Sequence, residues 1–167
     1  MNKYRLRDET FKRLFMSQFY SDESYAEVVK ANDELETLVP EAEISPYIEP
    51  ELGNGLSEDD MKQLNDRVDS IRAHIPELDQ ILDANITGWK LNRIAKVDLT
   101  ILRLACYELY YDDSIPPKVS VNEAVELAKK YGSEKSGSFV NGVLSHVIRS
   151  LDARSSEDRT SENGSNE

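Results

Sequence analysis

The apolar positions of this chain recur mostly at three- and four-residue intervals, the signature of helices with one buried side. In residues 3–20, Leu6, Phe11, Leu14, Phe15 and Phe19 share a side, and the basic residues lie mostly off it. A second helix is expected over 22–39, opened by Ser21 or Asp22 and closed before Pro40. Residues 40–56 hold Pro40, Pro46, Pro50, Gly53 and Gly55 among acids and read as a loop. Ser57 followed by Glu58, Asp59 and Asp60 marks a helix start, because acids favour the positive end of the helix dipole. Met61, Leu64, Val68, Ile71 and Ile75 then keep the helical period.

Pro76 opens the next segment, with Leu78, Ile81, Leu82 and Ile86 apolar, and Gly88 ends it. Trp89, Leu91 and Ile94 are expected to pack across the domain. Residues 97–112 are so apolar that their helix is expected at the centre. Pro116-Pro117 forces a turn, and Ser120 with Glu123 reads as a capping box ahead of Ala124, Val125 and Ala128. Gly132 is a candidate C-cap, and the last helix should run from about Ser136 to Leu151. Val119 to Val121 could mimic a strand; no convincing one is present. The expected architecture is all-α: a single compact domain of six or seven helices over residues 1–151. Residues 152–167 lack apolar anchors and read as a disordered acidic tail.

The net charge of -12 argues against a nucleic-acid partner, but its distribution does not. Residues 21–60 carry thirteen acids against Lys30 alone, whereas residues 1–20 carry five cations against Asp8 and Glu9. Screening over ~8–10 Å makes local charge count for more than the total. The basic N-terminal element therefore stands as a candidate anion-binding surface. It has no apolar h-region, so it does not read as a signal peptide, and no apolar run approaches a membrane span. Cys106, the single cysteine, lies in an apolar stretch and reads as a small core residue in a reducing, cytoplasmic compartment.

Enzyme chemistry lacks its parts. His74 and His146 have no Cys, His or acid at metal-ligand spacing, so no metal site or cofactor is expected, and His146 reads as a partly exposed helix residue. There is no phosphate-binding loop, dinucleotide turn or nucleophile elbow. Phe139 is more informative. At ~100° per residue it sits roughly 110° from the middle of the stripe formed by Val140, Val143, Leu144, Val147, Ile148 and Leu151. It could cover a second interface within the fold, or it could offer a stacking platform to an unpaired base. Lys135 and the N–H groups of the helix start would favour a phosphate nearby.

Three blocks, ILRLACYEL at 101–109, VSVNEAVELAKKYG at 119–132 and SFVNGVL at 138–144, carry a resemblance. Residues 94–151 resemble the C-terminal part of NusB proteins. The resemblance implies two packed helical subdomains and an antitermination adaptor, not an enzyme. It implies binding of boxA-like single-stranded RNA in ribosomal RNA leaders, a heterodimer with the ribosomal protein NusE, and action on the RNA polymerase elongation complex with other Nus factors. It leaves homodimer formation open. By position, Lys3, Arg5 and Arg7 match the family's arginine-rich start, and Phe139 matches its base-contacting aromatic. Asp98 and Glu123 match acids that face NusE, which suits a basic ribosomal partner. Pro117 stands where the family can have an aromatic at that interface. Two other readings compete. One is a protein-interaction module of the same fold that has lost RNA affinity. The other is the NusB-like domain of a ribosomal-RNA cytosine methyltransferase, which would need a further catalytic domain.

Overall fold

The computed structural model describes residues 1–38 and 56–163, and the side-chain surroundings of 1–34 and 56–157. The loop expected at 40–56 therefore lies outside the described residues except at its last position, Leu56, which is buried. Seven α-helices and no strand occur among the described residues, so the chain is all-α. It divides into two compact units, Met1–Arg72 and Ala73–Glu167.

The first unit contains α1 (Lys3–Ser17), α2 (Asp22–Leu38) and α3 (Glu58–Ala73). Asn2 caps α1 by accepting the Arg5 N–H at 2.8 Å, and Ser57 caps α3 by accepting from Asp60 N at 3.1 Å; such caps are worth ~1 kcal/mol each. Phe11, Leu14, Met61, Leu64, Val68 and Ile71 are buried as the periodicity expects. Phe19 departs from it: α1 stops at Ser17, and Phe19 is left exposed, edge-on to Phe15 at 5.2 Å.

Two of the five basic residues in 1–20 are covered as well. Arg7 and Arg13 are buried, at 7% and 8% exposure, so the cations do not all lie off the covered side. Arg13 donates to Asn65 at 2.7 Å and to Asp33 at 2.9 Å, and Asn65 donates to Asp33 at 2.9 Å. A guanidinium with five fixed donors can be buried when carboxylate and amide oxygens meet it. Arg72 closes the other end of the unit. It bonds Asp22 at 2.6 Å and lies over the Tyr25 ring at 4.1 Å. Burial pushes the Tyr25 hydroxyl above its ordinary pKa, and the two arginines pull it back.

The second unit contains α4 (Ile75–Asn85), a 3-10 turn at Leu91–Arg93, α5 (Lys96–Tyr111), α6 (Pro117–Tyr131) and α7 (Ser136–Asn163). As expected, α5 is central: it packs on α4, α6 and α7 and buries Leu99, Ile101, Leu102, Leu104, Ala105 and Cys106. Burial pushes the Cys106 thiol up to about 12. Arg103 on α5 grips Asp79 on α4 with two bonds of 2.8 and 2.9 Å. Asn85 ends α4 and ties it to α7: its Oδ1 accepts from Ser150 at 2.9 Å and meets Nδ1 of the exposed His146 at 2.8 Å. An amide oxygen only accepts, so this His146 nitrogen carries the proton.

Three expectations are corrected in this unit. Ser120 and Glu123 form no capping box, because α6 already begins at Pro117. Proline fits the first helical position, where its missing N–H costs nothing, and Ser120 lies inside the helix, 1% exposed. Trp89 does not pack across the domain; it is 60% exposed, while Leu91 and Ile94 are half-buried. The last helix does not end at Leu151 but continues to Asn163, through the stretch read as disordered. Residues 152–163 contain neither proline nor glycine to stop it, and Ser155 and Ser156 bond back to the carbonyls of Leu151 and Asp152 at 3.1 and 3.0 Å. The side chains of 152–157 are exposed.

Candidate nucleic-acid interface

The N-terminal candidates lie in the first two turns of α1. Lys3 is exposed, Arg5 is half-buried and Arg7 is buried. Lys12, further along, is held by Asp8 at 3.0 Å and Glu9 at 3.4 Å. The cluster counted as five cations in the sequence therefore presents mainly Lys3 and Arg5 at the surface. Beside it, the amino group of Met1 bonds Asp60 at 2.9 Å and holds that carboxyl below its ordinary pKa.

The other RNA candidates lie in the second unit, at the start of α7. Lys135 is exposed, and Phe139 one turn later is half-buried, its N–H bonded to the Lys135 carbonyl at 3.1 Å. Phe139 is not among the buried core residues, whereas Val140, Val143, Leu144 and Val147 are. The angular reading of this helix is thus correct.

The corner before α7 is tight. Gly132 ends α6 with its N–H on the Ala128 carbonyl at 2.9 Å, and Ser133 N–H donates to the Ser136 hydroxyl at 2.9 Å. A Cβ at Gly132 would stand 2.5 Å from the Ser136 hydroxyl oxygen and 2.7 Å from the Ala128 carbonyl. Glycine is required here by the close approach of two helices, not by a left-handed backbone, since its φ is -93°. The corner opens into a cleft of about 580 Å³ between α6 and α7, lined in part by Lys129, Ser133, Ser138 and Asn141. Sequence reasoning missed this cleft; its signal was the run of small residues at Gly132, Ser133, Gly137 and Ser138.

The acidic candidates also lie in the second unit. Asp98, in the first turn of α5, is half-buried, and one of its carboxylate oxygens is sheltered from solvent without a hydrogen-bond donor. A sheltered carboxylate oxygen with no donor is costly, and a partner's cation or N–H would satisfy it. Glu123 is half-buried on α6. With the capping box gone, its position is no longer accounted for by a helix start. Among the described residues no group of three metal-binding side chains is found, and no helix is long and apolar enough to cross a membrane.

Comparison with known proteins shows the family. The NusB family model matches residues 18–149. The transcription antitermination protein NusB of Agathobacter rectalis is 42% identical over 145 residues, covering 86% of this chain and 97% of the relative. The solved T. maritima NusB superposes with a TM-score of 0.68 at 30% identity, covering 89% of this chain and 92% of that one. A chain from a crystal structure of antitermination factors NusB and NusE in complex with dsRNA gives a TM-score of 0.63 at 28% identity, covering 90% and 99%. The chain belongs to the NusB family, whose members are transcription antitermination factors and not enzymes.

Proposed function

We propose that this chain is a cytoplasmic antitermination adaptor. It binds boxA-type single-stranded RNA of ribosomal RNA leaders together with NusE and acts on elongating RNA polymerase. The observation that supports the reading is the likeness, over 90% of the chain, to a chain from a crystal structure of antitermination factors NusB and NusE in complex with dsRNA. Lys3 and Arg5 would meet phosphates, and Lys135 with Phe139 would hold a phosphate and an unpaired base. Asp98 and Glu123 would face the basic partner, whose donors would satisfy the sheltered oxygen of Asp98.

The test is a titration of labelled boxA-type RNA with the protein alone and with NusE added. Replacement of Phe139 by Ala should cost about 1–3 kcal/mol of RNA affinity, with less loss of stability than the roughly 3–5 kcal/mol of a core Phe. A stability collapse with RNA affinity per folded molecule unchanged would return Phe139 to a packing role. One observation favours the rival reading, an interaction module without RNA affinity: the burial of Arg7 and Arg13 leaves a thin basic surface. Absence of RNA binding with and without NusE, alongside intact NusE binding, would decide for the rival.

A further inference from the structure

Between α4 and α5 the chain carries a surface that none of the family positions above includes. Residues 84–97 contain Lys90, Arg93 and Lys96 and no acid. Gly88, with φ +85°, turns the chain out of α4, and Trp89 follows it, 60% exposed. The 3-10 turn places residues three apart on one side. Leu91 and Ile94 are accordingly half-buried and pin the segment, while Lys90, Arg93 and Lys96 are exposed. No ion pair among the described residues engages Lys90 or Arg93. An exposed indole beside two such cations is a local basic and aromatic patch in a chain of net charge -12.

We propose that Trp89, Lys90 and Arg93 form a second RNA contact, in which the indole stacks on an unpaired base and the two cations hold its flanking phosphates. The inference rests on the RNA-binding reading above but uses none of its residues. The sign of the charge selects the ligand. A basic protein partner suits Asp98 and Glu123 and is repelled here, whereas phosphates are attracted. The indole selects an unpaired base over a duplex, because stacking needs an open π-face and a paired base already has its neighbours.

Trp89 is the only tryptophan, so its emission reports this site in the unaltered protein. The experiment follows two signals with one single-stranded boxA-type RNA: anisotropy of the labelled strand, and Trp89 emission with the unlabelled strand. Emission should be quenched with the same midpoint as the anisotropy rise, and less by the same strand annealed to its complement. Trp89→Ala should weaken single-strand binding about 5- to 150-fold, with Trp89→Phe recovering much of it. Lys90→Ala with Arg93→Ala should reduce the salt slope by about 0.7 for each phosphate that is no longer neutralised. Circular dichroism confirms the fold of each variant.

Anisotropy binding that persists with emission, affinity and slope all unmoved would overturn this second RNA site and leave the RNA reading standing. Emission that responds to NusE alone and not to RNA would also overturn it, making the patch a protein-docking surface. No anisotropy change at low salt, with or without NusE, would remove the RNA reading and this inference together.

Discussion

Arg13 and Cys106 show how one residue's surroundings decide its chemistry. Arg13 is a cation in sequence but a structural brace in space, bonded to Asp33 and Asn65. Its truncation to Ala removes charge-assisted bonds worth about 1.5–3 kcal/mol and leaves the Asp33 carboxylate with the Asn65 amide as its remaining donor in this cluster. Denaturant unfolding should register that loss, while RNA affinity of the folded fraction stays unchanged; Arg5→Ala should show the reverse. Cys106 is fully buried with its thiol near 12. The thiolate is the reactive form, so a chromogenic disulfide reagent at about pH 8 should label it only as fast as the protein opens. Prompt native-state labelling would contradict its burial. The raised thiol pKa also has a pH consequence. Its contribution to stability is fully present below the unfolded value of 9.0 and is lost as pH climbs from there through about 12.

At the level of elements, periodicity made the helices legible, because a 3.6-residue repeat of apolar side chains has few other solutions. What failed was mostly at their ends and on their polar sides. Two helix-start signals competed before α6, and Pro117 prevailed over Ser120. Nothing local could tell that Arg7 would be covered or that Trp89 would not. The candidate site was legible in part: Phe139 was placed off the core by its angle alone, whereas the sheltered oxygen of Asp98 and the cleft at Gly132 depend on neighbours distant in sequence. The extension of α7 is the clearest miss. Its side chains over 152–157 are exposed, although Arg154 does bond Tyr110, whose hydroxyl burial pushes above its ordinary pKa. An exposed helical end gains little from packing. Truncation after Glu157 should therefore lower far-UV helicity while shifting stability by less than about 0.5 kcal/mol and leaving RNA and NusE binding intact. Unchanged helicity would mean that the end is not helical in solution; a large drop in either binding would mean that it docks.

For the molecule as a whole, charge is segregated rather than merely negative, with thirteen acids in residues 21–60. At ~10 mM salt, where screening reaches about 30 Å, an approaching RNA feels the entire negative chain; at ~150 mM, with about 8 Å, it feels the local cations. The RNA association rate measured by stopped flow should therefore pass through a maximum between these salts, while association with a basic protein falls steadily. A rate for RNA that declines from the lowest salt onward would show that the local cations dominate at every range. The same chain, considered as a text that is copied with errors, treats its glycines unequally. At Gly88 a Cβ would meet nothing within 4 Å and only the φ of +85° resists, so Asn and Asp should survive in a saturation library. At Gly132 the obstruction includes the backbone carbonyl of Ala128, which no second mutation can shorten. Position 132 should stay monomorphic even when Ser136 is randomised with it, an error that the rest of the sequence cannot suppress.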